Sequence, residues 1–309
     1  MWAVSFHGKE NAMTSICIQC PRACGVDRSR SLGYCGAPAA FRIARADLHP
    51  WEEPPISGTR GSGTVFFSGC NLRCVYCQNR EVSRDGLGRE VDETRLIELL
   101  LDLRDRGAHN INLVTPTPYA LRLAVTLSRI KPTLGIPIVY NCGGYESVET
   151  LRHLEGVVDV YLPDVKYFSS ELARRYSDAP DYFPTAMNAL AEMLRQTGEP
   201  RFDADGILQR GIIVRHLVLP SHRTDSIDLL RALAERFGTS AFRLSLMSQY
   251  TPAFALDTPF KELHRKLTSF EYNSVLNTAL SLGFDGYFQS RSSASPAFTP
   301  DFKESVKRI

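Results

Sequence analysis

No stretch of the 309-residue sequence approaches the roughly 20 consecutive apolar residues that span a bilayer. Neither sign of charge dominates. Lys and Arg total 36 against 34 Asp and Glu, a net charge of +2, so no global field points to nucleic acid or an acidic membrane surface. Internal repeats, low-complexity tracts and long runs of like charge are absent. Residues 1–15 lack a basic stretch followed by an apolar core, so no secretory leader is expected and the expected location is the cytoplasm. With 43% hydrophobic and 23% charged residues, the chain is neither disordered nor collagen-like. Its length allows one large or two ordinary domains with a core that needs no staples.

Cysteine is sparse but concentrated. Of eight, seven lie between positions 17 and 77, in two tight groups. A disulfide framework spreads its pairs, and cytosolic thiols stay reduced, so clustered thiols at short spacing read first as metal ligands. Residues before about Pro55 are rich in Cys, Arg, Ala and Pro, show no sustained periodicity, and are expected to need a metal to fold. From Gly61 onward, short β-type runs alternate with helical runs. Strands are predicted over 64–67, 111–114, 136–140, 158–162, 212–219 and 242–247. Helices are predicted over 92–106, 119–130, 147–154, 224–237 and 269–282, with a pair within 169–197. In the first of these, Leu96, Leu99, Leu100 and Leu103 form a buried face; in 224–237, Ile227, Leu230, Ala234 and Phe237 are expected to do the same. Alternation of this kind means βαβ units and a parallel sheet covered by helices. An open doubly wound sheet and a partial TIM-type barrel both fit, and both place chemistry at the carboxyl ends of strands.

The second cysteine group follows the first predicted strand directly: Cys70, Cys74 and Cys77 in a C-x3-C-x2-C loop. Three thiolates are too few to close a structural zinc site, unless a distant ligand completes it. On a four-iron cluster they leave one iron open for a non-protein ligand. With Tyr76 in the aromatic slot before Cys77, the loop resembles the signature of the radical S-adenosylmethionine (radical SAM) superfamily. The flanks Gly61-Ser62-Gly63-Thr64, Phe67-Ser68-Gly69 and Gln78-Asn79, and the upstream run from His49 through Glu52 and Glu53 to Gly58, look like its glycyl-radical-enzyme activase branch, typified by pyruvate formate-lyase activating enzyme.

The resemblance implies an α/β fold built on a partial (β/α)6 TIM-type barrel over 56–309, preceded by a Cys-rich metal-binding segment over 1–55. It implies one [4Fe-4S] cluster on Cys70, Cys74 and Cys77, and S-adenosylmethionine (SAM) reductively cleaved to a 5′-deoxyadenosyl radical that abstracts hydrogen in anaerobic chemistry. Implied partners are an electron donor such as a flavodoxin or ferredoxin, and a glycyl radical enzyme or peptide substrate. Tyr76 and Asn79 flank the cofactor. Relatives carry Gly-Gly-Glu after the second strand to receive the SAM amine; this chain has Val114 to Pro118, where Thr115 and Thr117 offer hydroxyls but no carboxylate. Asn141 and Gly143 sit in the turn after the third strand, with Asn141 the expected ribose contact and Cys142 a small buried residue. Asp164 and Lys166 resemble the activases' Asp-Leu-Lys motif, with the lysine pairing the methionine carboxylate. Arg215 suits that carboxylate too, His216 points to the opposite strand face, and Gln249 is a further polar candidate.

The first cysteine group, Cys17, Cys20, Cys24 and Cys35, supplies four thiolates, enough for a closed site. Zinc and a second iron–sulfur cluster explain it equally well. Three other functions compete: radical chemistry on a peptide or small molecule, an iron–sulfur electron carrier, and a zinc-based nucleic-acid binder using Arg22, Arg28, Arg30, Arg42 and Arg45. The last lacks interleaved base-stacking aromatics.

Overall fold

The computed structural model describes residues 16–289 and 300–309; the leader expectation, on residues 1–15, lies outside them. In chain order the elements begin with β1 (Phe41–His49), α1 (Pro54–Ser57), β2 (Ser62–Phe67), α2 (Arg80–Ser83), β3 (Arg89–Val91), α3 (Glu93–Asp105) and β4 (Ile111–Val114). They continue with α4 (Ala120–Leu134), β5 (Ile138–Cys142), α5 (Val148–Arg152), β6 (Val160–Pro163), α6 (Ser170–Ser177), α7 (Tyr182–Thr197) and β7 (Arg201–Phe202). The last are β8 (Leu208–Leu217), α8 (Arg223–Phe237), β9 (Arg243–Met247), α9 (Ser269–Leu282), β10 (Gly286–Phe288) and α10 (Phe302–Val306).

The strands form one sheet in the order β10-β9-β8-β6-β5-β4-β2-β1-β3, with β7 off the path as an antiparallel partner of β8. From β2 to β10 every neighbour is parallel. A doubly wound sheet reverses its strand order at a switch point. Among its parallel strands, β2 to β10, this one never does, so the winding is that of an α/β partial TIM-type barrel, and the carboxyl ends of those strands gather at one end.

Local sequence explains much of this. Helix α3 buries Leu96, Leu99, Leu100 and Leu103, and the Asp92 side chain caps it by accepting from the Arg95 backbone N–H. Helix α9 carries a full capping box between Thr268 and Glu271. Helix α8 is turned from expectation: it buries Ser226, Leu229, Leu230 and Leu233, whereas Ile227, Ala234 and Phe237 are only partly covered. Its register is set from the sheet, because the buried His216 ring on β8 bonds Ser226 Oγ at 2.8 Å. The other ring nitrogen of His216 meets the Val165 carbonyl at 2.7 Å, so the side chain is fully engaged in packing.

Strand β1 was not expected. It pairs antiparallel with β2, and Phe41, Ile43 and Ala44 are completely buried. Residues 41–49 therefore share the barrel's sheet and its core. A further apolar cluster roofs the carboxyl ends, made of Leu72, Cys74 and the tyrosines Tyr76, Tyr145, Tyr167, Tyr176, Tyr182 and Tyr250.

Beneath that roof Glu146 is buried, accepting from Thr117 Oγ1 at 2.8 Å and the Tyr140 hydroxyl at 3.3 Å. Burial, against those two hydrogen bonds, raises its pKa from 4.5 to about 8. The folded chain thus holds this proton more tightly than the unfolded one. The contribution is full below pH 4.5 and is lost as the pH rises through about 8. Denaturant titrations should show that Glu146→Gln removes a slope of at most about 1.4 kcal/mol per pH unit from that window. Parallel wild-type and variant profiles would contradict the assignment.

Candidate active site

The chain leaves β2 through Ser68 and turns at Gly69 (φ +92°) into the cysteine loop. Cys74 is buried and accepts from Ser177 Oγ at 3.0 Å. Cys77 accepts from Ser83 Oγ at 3.4 Å, and Cys70 from the Leu72 backbone N–H at 3.4 Å. Ser177 is held in turn by the Tyr167 hydroxyl at 2.7 Å, which meets the Tyr76 hydroxyl at 2.7 Å. Burial, then repulsion from Cys74, pushes the Cys70 thiol up to about 12, so a bare thiolate is disfavoured there. Among the described residues no group of three or more His, Cys, Asp or Glu side chains is placed to hold a metal ion. Three thiols on one loop, each with a donor aimed at its sulfur, supply the ligand set of an iron–sulfur cluster with one open iron.

Beside this loop, a cleft opens at the carboxyl ends of β5, β6, β8 and β9. Cys74, Cys77, Tyr76, Asn79, Asn141, Asp164, Lys166 and Arg215 all line it. Asp164 is the hinge of its electrostatics. It accepts from Arg215 Nε at 2.8 Å and pairs with Lys166 Nζ at 2.5 Å. Arg215 also donates to Asn141 Oδ1 at 2.6 Å and faces Glu52 at 3.6 Å. Burial opposes ionisation of Asp164, but Arg215 and then Lys166 hold its carboxyl below the usual range. Burial likewise opposes the charge on Lys166, and Asp164 more than restores it. Glu52 and Glu53 are pushed up by burial against the pull of Arg215. Two cations thus stand among three partly buried carboxyl groups. The Oδ1 of Asn79, beside Cys77, is buried with no hydrogen-bond partner and is available to a ligand donor.

Thr115, Thr117 and Gly143 do not line the cleft. Thr115, at φ +56°, donates its backbone N–H to the Asn141 carbonyl at 2.9 Å, and Thr117 is committed to Glu146. Gly143 makes room for the cysteine loop: a Cβ there would meet Leu72 Cδ1 at 2.8 Å. Cys142 is buried, and Gln249 lines the far wall. Glu52 was quoted in the sequence only as part of a flanking run. Its proximity to Arg215 depends on how β1 returns across the sheet, which no local pattern encodes.

The N-terminal cysteine segment docks on this end of the barrel. Arg22 Nε donates to the Asn71 carbonyl at 2.8 Å and Nη2 to the Ser177 carbonyl at 3.0 Å. Arg28 donates to the Ala37 carbonyl at 3.1 Å and to the Pro118 and Pro38 carbonyls. Arg42 pairs with Glu90, and Arg45 with Asp47. These four arginines have protein partners, which argues against a nucleic-acid surface.

A singly wound barrel with a three-cysteine loop opening onto a charged cleft defines the class. Residues 64–201, a little under half of the chain, match the Radical SAM superfamily, a match that implies a [4Fe-4S] cluster and SAM. A curated relative, the uncharacterized protein MJ0674 of Methanocaldococcus jannaschii, is 28% identical over 278 residues, covering 87% of this chain and 75% of that protein. Similar solved structures include methylornithine synthase (PylB), 16% identical with a TM-score of 0.43, covering 75% of this chain and 69% of that one. Another is Streptococcus suis SuiB bound to precursor peptide SuiA, 11% identical with a TM-score of 0.49, covering 72% of this chain and 46% of that one. Among the described residues no helix is long and apolar enough to cross a membrane.

Removing Arg215 strands buried carboxylates. Arg215→Met should lower the unfolding free energy by about 3–5 kcal/mol in urea denaturation. A loss below about 1 kcal/mol would show that the carboxyl groups do not depend on it.

Proposed function

We propose that this chain is a radical SAM enzyme that abstracts hydrogen from its substrate, and that it acts as an activating enzyme for a glycyl radical enzyme. The observation that carries the proposal is the Cys70–Cys77 loop opening onto the Lys166–Asp164–Arg215 cleft. When bound, the cluster and SAM supply one-electron cleavage of the sulfonium C–S bond and a 5′-deoxyadenosyl radical. Lys166 and Arg215, kept charged by Asp164, bind the methionine carboxylate. Asn141 orients the ribose, and Asn79 Oδ1 accepts from the cofactor. Glu52 takes the ammonium that a Gly-Gly-Glu segment receives elsewhere. Tyr76 and the tyrosine roof exclude water. Electrons come from a flavodoxin or ferredoxin in the cytoplasm, and the Cys17–Cys35 group holds a second metal. The activase assignment is supported by Gly61–Gly63, Gln78-Asn79 and Asp164-x-Lys166. Chemistry on a peptide or small molecule is the second reading, favoured by the missing carboxylate between Val114 and Pro118. A bare electron carrier has no use for the charged cleft.

Anaerobic reconstitution with iron and sulfide, then dithionite and SAM, should yield methionine and 5′-deoxyadenosine; Cys74→Ala should yield neither. Lys166→Met should weaken SAM binding at least about tenfold with iron content unchanged. Absence of product from an iron-loaded wild type overturns the enzyme reading, and unchanged SAM affinity overturns the role of Lys166. A glycine-centred radical in an added or co-purified partner identifies the activase; product on a peptide or small molecule identifies the alternative.

A further inference from the structure

We infer that His49 positions the substrate, holding an uncharged polypeptide segment in the part of the cleft that carries no charge. The inference deepens the proposed function and rests on it for the chemistry after binding, though not for the binding itself.

The topology sets the two walls of this part against each other. Strand β10 ends the sheet on one side and β1, with its short partner β3, ends it on the other; the two do not pair. Yet one cleft is lined both by His49 and Phe66, from β1 and β2, and by Met247 and Phe254, from β9 and the loop beyond it. The sheet therefore curls until its ends face each other across an opening. Trp51, 63% exposed, carries the lining out to solvent.

Charge is distributed unevenly around the cleft. Asp164, Lys166 and Arg215 come from the ends of β6 and β8, beside Asn141 of β5. Among the other described lining residues Glu52 alone is charged. It is turned to Arg215 at 3.6 Å, and Asn141 Nδ2 donates to it at 3.4 Å. Both ends of the sheet thus present uncharged surface. The proposed SAM contacts occupy the charged strands, which leaves this surface to the substrate. A charged group placed there would lose hydration with no unpaired ion to compensate it. An uncharged chain would not, and the opening lets residues on either side of the reacting one continue out of the cleft.

His49 supplies the polar contact. Its ring meets Phe66 edge-on, with 6.4 Å between centroids and 89° between planes. The hydrogen bond from Ser57 Oγ, at 3.2 Å, goes to the His49 carbonyl, and among the described residues none reaches the ring nitrogens. Burial, then repulsion from Arg45, lowers its pKa from 6.5 to about 4, so the ring is neutral near neutral pH. A neutral imidazole offers one N–H and one lone pair. Those match the C=O and N–H that a peptide main chain carries along its length. Gln249, also in the lining, is already engaged, accepting from Gln289 Nε2 at 3.2 Å.

The test uses the reconstituted holoenzyme with SAM bound and two peptides that differ in their terminal charges, acetyl-Ala-Gly-Ala-amide and free Ala-Gly-Ala. Saturation-transfer NMR should show the blocked peptide bound at least about tenfold more tightly, a comparison that needs no variant. His49→Phe keeps an aromatic ring against Phe66 and should weaken the blocked peptide at least about tenfold, with SAM affinity and iron content unchanged. His49→Gln, which keeps a donor and an acceptor, should recover part of that loss. Equal binding of the two peptides, or binding of neither, overturns the uncharged slot. An unchanged affinity in His49→Phe overturns the role of His49. His49-dependent binding in a wild type that does not cleave SAM would instead sink the enzyme reading and leave the slot standing.

Discussion

The structure turns on the carboxylate of Asp164. Strands β6 and β8 pair over a short register, and beyond it a parallel bridge joins Asp164 and Arg215, with Val165 N–H donating to the Arg215 carbonyl at 2.8 Å. The Asp164–Arg215 ion pair closes the same junction from the side chains. Because Asp164 also holds Lys166, one buried anion fixes two cations at the mouth of the cleft. Such a network costs desolvation that only near-complete pairing offsets. It is therefore better understood as positioning charge for a ligand than as stabilising the sheet.

Around that point the architecture is economical. A sheet wound in one direction brings every parallel strand's carboxyl end to the same side, so residues far apart in sequence, such as Asn79, Asn141 and Arg215, meet without long loops. The tyrosine roof adds hydroxyl groups where an apolar cover would leave the Cys74 sulfur without a donor. The chain Tyr76–Tyr167–Ser177 delivers one.

What was legible in the sequence follows from what is local. The leucine face of α3, the β4 strand and the cysteine spacings are each set within a few residues, and the structure contains them as expected. Strand β1 was hidden because Arg42 and Arg45 interrupt its apolar positions; the buried residues declare themselves only once β2 lies alongside. The buried stripe of α8 was misplaced because Ser226 faces inward to meet His216, a polar contact that no hydrophobic period records. Glu52 was quoted but given no role, since a single carboxylate acquires meaning only from the arginine it faces. Thr115 and Thr117 drew attention as hydroxyls at a strand end, but the Thr115 backbone N–H is tied to the Asn141 carbonyl and the Thr117 hydroxyl is committed to Glu146.

The docking of Arg22 has an architectural consequence. Its guanidinium covers three carbonyls on the barrel, Asn71, Ser177 and Asp178, while the Cys35 carbonyl covers the amide of Cys70. The amino-terminal segment is thus a keystone of the cleft's rim. Shortening the chain from that end would bare hydrogen-bonding groups that the barrel cannot satisfy by itself, so the two cysteine groups are separable in sequence but not in folding.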